Sequence, residues 1–142
     1  MPRLDKFHAE VRKALEKDGW VITHDPYAIT FGNKRLYVDL GAETLLSAEK
    51  GTQKIAVEIK TFTGASDVHD LQQAVGQYVV YQQVLLETEP DRQLFLAVPT
   101  YAADTIFSVE LGQLLINRKL ISLIVFDPAK EEITQWFNPQ TT

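Results

Sequence analysis

The segment KIAVEIK, Lys54 to Lys60, gives the clearest structural signal in the chain, because its side chains alternate between two chemical classes. The aliphatic side chains stand at every second position, namely Ile55, Val57 and Ile59. The positions between and after them hold Ala56, Glu58 and Lys60. Since successive side chains of a β-strand point to opposite faces of a sheet, this alternation predicts a strand over Gln53–Phe62. Glu58 and Lys60 then project from the same face of that strand.

A second alternating segment, Arg35–Leu40, precedes this strand in the sequence. Its apolar side consists of Leu36, Val38 and Leu40, and its other side consists of Tyr37 and Asp39. The segment between the two predicted strands, around Glu43–Lys50, is expected to be helical or irregular. If the two strands pair, Asp39 lies beside Glu58 and Lys60.

Two helices are predicted around these strands from apolar residues at helical spacing. The first helix has its apolar positions at Leu4, Phe7, His8, Val11, Ala14 and Leu15, and Gly19 ends it. The longest helix runs from about Asp67 to about Glu87, with Ser66 or Asp67 as its cap. Its predicted buried stripe is Val68, Leu71, Val75, Tyr78, Val79 and Leu86.

The remaining segments complete an α/β sandwich in which a central mixed sheet is flanked by helices. Further strands are predicted at Trp20–His24, Ala28–Phe31, Gln93–Val98, Leu120–Phe126 and Glu132–Phe137. Tyr101–Asn117 is expected to form one or two helices, with Leu111, Leu114 and Leu115 facing inward. The element order is roughly α-β-β-β-α-β-α-β-β. With no linker or repeat in 142 residues, a single domain over residues 1–142 is expected.

Composition excludes several classes of protein. No apolar run is long enough to span a bilayer, and the charged amino-terminal segment lacks the apolar region of a signal peptide, so a cytoplasmic protein is expected. The chain has no cysteine, which excludes a disulfide framework and thiolate zinc ligands. Its net charge of −5 argues against a nonspecific nucleic-acid coat protein. Any polyanion is expected to bind through residues 1–60, which have a net charge of +1.

Asp39, Glu58 and Lys60 are the groups from which a phosphodiester-hydrolysing site can be built. Mg²⁺ binds oxygen ligands and takes one or two carboxylates together with phosphate and water. A nearby ammonium group stabilises charge on a phosphate or positions a water molecule. The alternative from the same residues is an ordinary half-exposed strand, with its charges in solvent and its aliphatic residues in the core.

The order Asp39, Glu58-x-Lys60, helix and strand resembles the PD-(D/E)XK superfamily of nucleases. The helix adds QAVGQY, Gln73 to Tyr78, which is similar to an element of the RecB-like branch. Within the superfamily the whole chain looks like the XisH-type fdxN-element excision controlling factors of cyanobacteria. The similarity is carried by Asp5-Lys6-Phe7-His8, Val57 to Phe62 and Gln73 to Tyr78. The residue before Asp39 is valine, where the superfamily name has proline, and the sequence shows no strongly basic loop to hold DNA.

The resemblance implies an endonuclease-like fold and a link to programmed DNA excision, but it does not by itself imply cleavage. The activity expected from the residues is Mg²⁺- or Mn²⁺-dependent hydrolysis of a DNA phosphodiester. Asp39, Glu58 and the carbonyl of Ile59 are the expected metal ligands. Lys60 is expected to position or activate the attacking water, with Glu10 and Gln77 as secondary members of the site.

Two rival functions remain open from the sequence. The chain can be a non-catalytic regulatory module that recruits a site-specific recombinase or a companion excision controlling factor, because fold does not settle function. It can also be a homo-oligomeric scaffold, with the uncharged stretches Leu114–Ile116 and Leu120–Phe126 as the interface.

Overall fold

The computed structural model describes residues 6–35 and 45–139, which form a mixed α/β sandwich as the sequence predicts. The helices are α1 (His8–Lys17), α2 (Asp67–Thr88), α3 (Thr100–Asp104) and α4 (Glu110–Asn117). The strands are β1 (Val21–His24), β2 (Thr30–Phe31), β3 (Lys34–Arg35), β4 (Leu45–Lys50), β5 (Gln53–Ile59), β6 (Arg92–Pro99), β7 (Leu123–Asp127) and β8 (Glu132–Phe137). In these described ranges, every helix is too short or too polar to cross a membrane.

Six of the described strands form one mixed sheet in the order β1-β4-β5-β6-β7-β8, and β2 and β3 form a separate hairpin. Strands β5, β6 and β7 are parallel, while β1, β4 and β8 each pair antiparallel with a neighbour. Because β1 and β5 are both antiparallel to β4, they run in the same direction. The carboxyl ends of β1, β5, β6 and β7 therefore meet at one edge of the sheet, which we call the carboxyl edge.

The sheet is covered on both faces, and β5 contributes to two separate cores. Its aliphatic residues Ile55, Val57 and Ile59 pack with Val11 and Leu15 of α1. Ala56 belongs to the other core, which contains the buried side chains of α2. Glu58 follows Ala56 at strand spacing, so its side chain shares the α2 face. The alternation predicted for this strand is therefore present in the fold.

The prediction of a helical or irregular segment around Glu43–Lys50 is wrong, because residues 45–50 form β4. A two-residue turn at Gly51 and Thr52 joins β4 to β5, and Gly51 adopts φ +61 there. Residues 45–48 are all buried, because β4 lies between β1 and β5 with both faces covered. Such a strand has no polar face and gives no alternating signal. Of the predicted strand Arg35–Leu40, residues 36–40 lie outside the described residues.

The prediction for the buried stripe of α2 is also wrong in part, because the helix is rotated from the expected orientation. Val68, Val79 and Leu86 are exposed, and Val75 is half-buried. The side chains that face the sheet are Asp70, Leu71, Ala74, Tyr78, Tyr81 and Leu85. Two polar contacts fix this rotation. Asp70 accepts the Gly64 N–H at 2.9 Å, and the Tyr78 hydroxyl bonds the Leu94 carbonyl and the Ser122 N–H.

Two predictions in the last third of the chain need correction. Leu111 and Leu114 are exposed, whereas they were expected to face inward, because Gly112 and Ile116 occupy the inner side of α4. The stretch Leu120–Phe126 cannot be an oligomer interface as predicted, because residues 121–126 are buried within the sheet layer. Leu120 alone in that stretch is exposed.

Gly112 is expected to be essential for the packing of α4. A Cβ at this position would lie 2.2 Å from the Ile106 carbonyl oxygen and 2.6 Å from the Phe107 Cα, both of them backbone atoms. We expect Gly112→Ala to lower the free energy of unfolding by about 1–3 kcal/mol, the usual cost of overpacking. Urea denaturation measures this loss. The exposed Asn117→Ala in the same helix should change stability by less than about 0.5 kcal/mol. Equal stability of the two variants would contradict this packing.

Candidate functional site

The candidate site lies at the carboxyl edge of the sheet, where Glu58 is the penultimate residue of β5. Glu58 is flanked by Leu45 on β4 and Leu96 on β6. Lys60 follows directly after the strand, and its backbone N–H donates to the Ala97 carbonyl of β6 at 3.0 Å. Ligands of sheet proteins commonly bind beyond the carboxyl ends of parallel strands, which is where these two side chains lie.

Glu58 is the most unusual residue of the site, because its carboxyl group is buried and has no hydrogen-bond partner in the described part of the chain. The residue is 1% exposed, and neither carboxyl oxygen has a hydrogen-bond partner among the residues that the structure describes. Burial raises the pKa of Glu58 well above its ordinary value of 4.5, and the positive charge of Lys60 offsets part of that rise. Glu58 therefore keeps its proton to a higher pH than an exposed glutamate does.

Two buried tyrosines of α2 lie near the carboxyl group of Glu58. Tyr78 and Tyr81 are both 1% exposed and face the sheet. Their hydroxyl pKa values are raised first by burial, with a smaller contribution from the negative charge of Glu58. Ionised Glu58 would therefore be placed in a largely apolar environment, and the cost of that ionisation falls if a cation binds beside it.

Lys60 is held on the same face by α2. Its Nζ donates to the side-chain oxygen of Gln73 at 3.0 Å, which joins the end of β5 to the second turn of the helix. The structure thus brings Glu58, Lys60 and Gln73 together. Gln77, the glutamine predicted as a secondary site residue, lies one turn further along α2 and is half-buried.

The segment from Lys60 to Ser66 is fixed by contacts that the sequence did not predict. The Tyr101 hydroxyl of α3 donates to the Thr61 carbonyl, and the carboxylate of Asp70 accepts the Gly64 N–H. A Cβ on Gly64 would lie 2.7 Å from the Asp70 Oδ1, so a larger residue there would displace this carboxylate. Ser66 accepts the His69 N–H and caps α2 as predicted.

Phe62 lies in this segment and adopts φ +58, the left-handed region that non-glycine residues rarely occupy. Its ring packs edge-on against Phe107, with centroids 5.7 Å apart. The conformation costs about 1 kcal/mol. The ring contact and the two flanking hydrogen bonds hold the chain there, and they fix the direction in which Lys60 leaves the strand.

The other predicted site residues, Asp39, Ile59 and Glu10, have different outcomes. Asp39 lies outside the described residues. The side chain of Ile59 points into the α1-side core, so only its backbone carbonyl can take part in a site on the α2 face. Glu10 lies on α1, on the opposite face of the sheet from Glu58. Within residues 6–35 and 45–139, no group of three His, Cys, Asp or Glu side chains is placed to hold a metal.

The start of α1 reaches the same edge from the opposite face. Phe7 contacts Tyr101 of α3 and Phe126 of β7, with ring centroids 6.5 and 6.1 Å apart. Next to it, buried His8 bonds the Asp25 carboxylate at 2.6 Å, as expected for a core histidine. Arg12 donates to the same carboxylate oxygen at 2.8 Å. These bonds tie α1 to the segment that follows β1.

The carboxyl group of Glu58 has the chemistry of a metal ligand. A buried carboxylate whose two oxygens have no hydrogen-bond partner among the described residues requires an explanation, and an absent ion is one of the standard explanations. The group is an oxygen donor of the kind that Mg²⁺ and Mn²⁺ prefer. Lys60 supplies a positive charge beside it, which a metal site for a polyanionic substrate can use.

The sequence matches the model of one protein family. Residues 1–134 match the family model described as XisH protein. The fold is similar to the crystal structure of an XisH family protein from Nostoc punctiforme, with 37% identity and a TM-score of 0.85 over 94% of this chain and 100% of that chain. It is also similar to a fdxN element excision controlling factor protein from Anabaena variabilis, with 39% identity and a TM-score of 0.84 over 93% and 98%. The comparison with curated proteins gave no match.

The buried carboxyl group gives stability a specific pH dependence. Folded Glu58 keeps its proton above pH 4.5, where the unfolded chain releases it, so ionisation opposes folding increasingly as pH rises. Below pH 4.5 both states are protonated and no penalty exists. We therefore expect Glu58→Gln to match the parent near pH 4 and to become more stable than the parent as pH rises. The gain is about 1.4 kcal/mol for each unit by which the pKa is raised.

Urea denaturation of both proteins across this pH range, without added metal, measures the difference. The control is Glu16→Gln, which changes an exposed glutamate of α1 and should show no pH-dependent gain. A stability difference between Glu58→Gln and the parent that stays constant with pH would show that Glu58 titrates as an ordinary glutamate.

Proposed function

This chain belongs to the XisH protein family, and from that premise we propose that it is a metal-dependent DNA phosphodiesterase that acts in programmed excision of a DNA element. The match to the family model confirms the resemblance to the XisH-type proteins. The Anabaena variabilis relative is a fdxN element excision controlling factor protein, and we extend that role to this chain. We further assign the chain to the PD-(D/E)XK superfamily.

One observation carries the catalytic part of the proposal. The carboxyl group of Glu58 is buried beside Lys60 and has no hydrogen-bond partner within residues 6–35 and 45–139. If Glu58 had only a structural role, replacing it with a neutral or apolar residue would stabilise the folded protein. Its presence at the carboxyl edge is explained if it binds a cation there. This is the behaviour expected of a site residue, which trades stability for function.

The metal ligands that we propose are Glu58, Asp39 and the backbone carbonyl of Ile59. Bound Mg²⁺ or Mn²⁺ would supply Lewis-acid chemistry to a phosphodiester oxygen and to a water molecule. Glu58 must lose its proton to serve as a ligand, so metal affinity rises with pH over the range in which this carboxyl group ionises.

Lys60 contributes a positive charge at the point where the scissile phosphate would lie. Gln73 accepts one of the three Nζ hydrogens, which leaves two for a phosphate oxygen or for the attacking water. The hydrogen bond also limits the positions that the flexible lysine side chain can adopt. Gln77 is proposed as a secondary residue that touches substrate or water outside the set of metal ligands. Glu10 is proposed as a secondary residue that approaches the carboxyl edge from the α1 face of the sheet.

A non-catalytic regulatory role is the second candidate. It is favoured by the acidity of residues 61–142, because their net charge of −6 opposes tight DNA binding through that part of the chain. In this case the chain would bind a recombinase or a companion controlling factor, and Glu58 would have no metal to bind.

Metal binding is tested by thermal melting with EDTA and with Mn²⁺. At a free Mn²⁺ concentration about 100 times its dissociation constant, we expect the parent to be stabilised by about 2.7 kcal/mol, a rise in melting temperature of roughly 5 to 10 °C. Glu58→Gln and Asp39→Asn should lose most of this rise, and Glu16→Gln should keep it. A parent that does not respond to Mn²⁺ would favour the regulatory role.

Catalysis is tested on duplex and branched DNA with Lys60→Arg. Arginine keeps the positive charge, but its planar guanidinium neither fits the ammonium position nor gives up a proton. We expect cleavage to fall by roughly 10²- to 10⁴-fold while the Mn²⁺ stabilisation persists. If Lys60→Arg cleaves DNA at nearly the parent rate, Lys60 does not have the assigned role.

A further inference from the structure

The outer surface of α2 has an unusual composition for a helix facing solvent. The rotation of the helix leaves several aliphatic side chains outside the core. These are Val68 (42% exposed), Val79 (45%), Val80 (45%) and Leu86 (54%). The outward strip of α2, defined as Gln72, Gly76, Val79, Val80 and Gln83, lies along the side away from the sheet.

Charged residues are absent from the middle of this helix. From Leu71 to Leu86, sixteen consecutive residues include no Asp, Glu, Lys or Arg. At the 23% charged content of the whole chain, about four would be expected in sixteen residues, and on a solvent-facing helix they concentrate on the outer side. Depletion of charge together with exposed aliphatic residues is typical of the centre of a protein interface.

Gly76 lies in the middle of the strip and has no role within the fold. A Cβ at this position would have no atom within 4 Å, and the residue does not adopt a positive φ. An interior helical glycine costs about 1 kcal/mol relative to alanine. Its use here is explained if another backbone approaches the helix closely at this point.

We propose that the outward strip of α2 is the centre of a two-fold interface with a second copy of this chain. In such an interface the same surface meets itself, so any charge near the axis lies beside an identical charge. An uncharged strip avoids this repulsion, which matters for a chain of net charge −5. A partner of opposite charge would instead require basic or acidic residues on the strip.

The exposed residues of α2 and of the segment 109–120 together reach the lower end of the number that a standard interface uses. A standard interface uses about 20 to 30 residues of each partner. Helix α2 exposes twelve residues, and the segment 109–120 exposes eight more. That segment lies in the same layer, because Leu115 and Ile116 pack in the core that α2 covers. Its exposed leucines, Leu111, Leu114 and Leu120, extend the apolar surface, and Glu87, Arg118 and Lys119 provide charged groups at the margin.

The dimer is tested by sedimentation equilibrium at chain concentrations from about 1 to about 200 µM. We expect the parent to be a dimer, and we expect Val80→Glu to raise the dissociation constant at least about 100-fold, because two like charges meet near the axis. Gly76→Leu should weaken the dimer as well, by blocking close approach, although it improves helix propensity. Unchanged far-UV circular dichroism verifies that both variants fold.

The matched control is Val21→Glu, which changes a 64% exposed valine on edge strand β1. It adds the same charge to the chain and should leave the dissociation constant within about 3-fold of the parent value. A parent that is monomeric at the highest concentration would overturn the proposal. It would also be overturned if Val80→Glu and Val21→Glu had the same effect.

Discussion

The burial of the Glu58 carboxyl group is the constraint on which the site depends. Strands β4 and β6 enclose β5 on both sides, and α2 covers the face onto which Glu58 projects. Water is thereby removed from a group that has no hydrogen-bond partner among the described residues, and its pKa rises. The same enclosure strengthens every electrostatic interaction at this position, so a single lysine or a bound cation has a large effect on its ionisation.

The contacts around Glu58 explain how the fold keeps this arrangement. Tyr78 bonds backbone groups of β6 and of the residue before β7, and this sets the rotation of α2. That rotation brings Gln73 to Lys60 and Asp70 to the turn that precedes the helix. It also leaves the valines of α2 facing outward, so the geometry of the site and the apolar outer surface have one structural cause.

Much of the fold could be predicted from local pattern, and the failures have physical reasons. The alternation in residues 54–60 placed Glu58 and Lys60 on one face, and helical spacing with Ser66 as the cap located α2. Strand β4 was missed because a strand buried on both faces has no alternation. The rotation of α2 was missed because the hydrogen bonds of Asp70 with Gly64 and of Tyr78 with residues distant in sequence outweigh the preference of valine for the core. The hydrogen bond of Tyr101 to Thr61 could not be predicted from the sequence either, because its partner is a backbone carbonyl forty residues away.

The most direct test of the account is the titration of Glu58 itself, followed by ¹³C NMR of side-chain carboxyl groups with and without Mg²⁺. The signal is assigned by its absence in Glu58→Gln. The account predicts that this signal titrates well above pH 4.5 in the metal-free protein, and that Mg²⁺ both shifts it and lowers its apparent pKa. A signal that titrates near pH 4.5 and does not respond to Mg²⁺ would contradict the claim that Glu58 is a buried metal ligand.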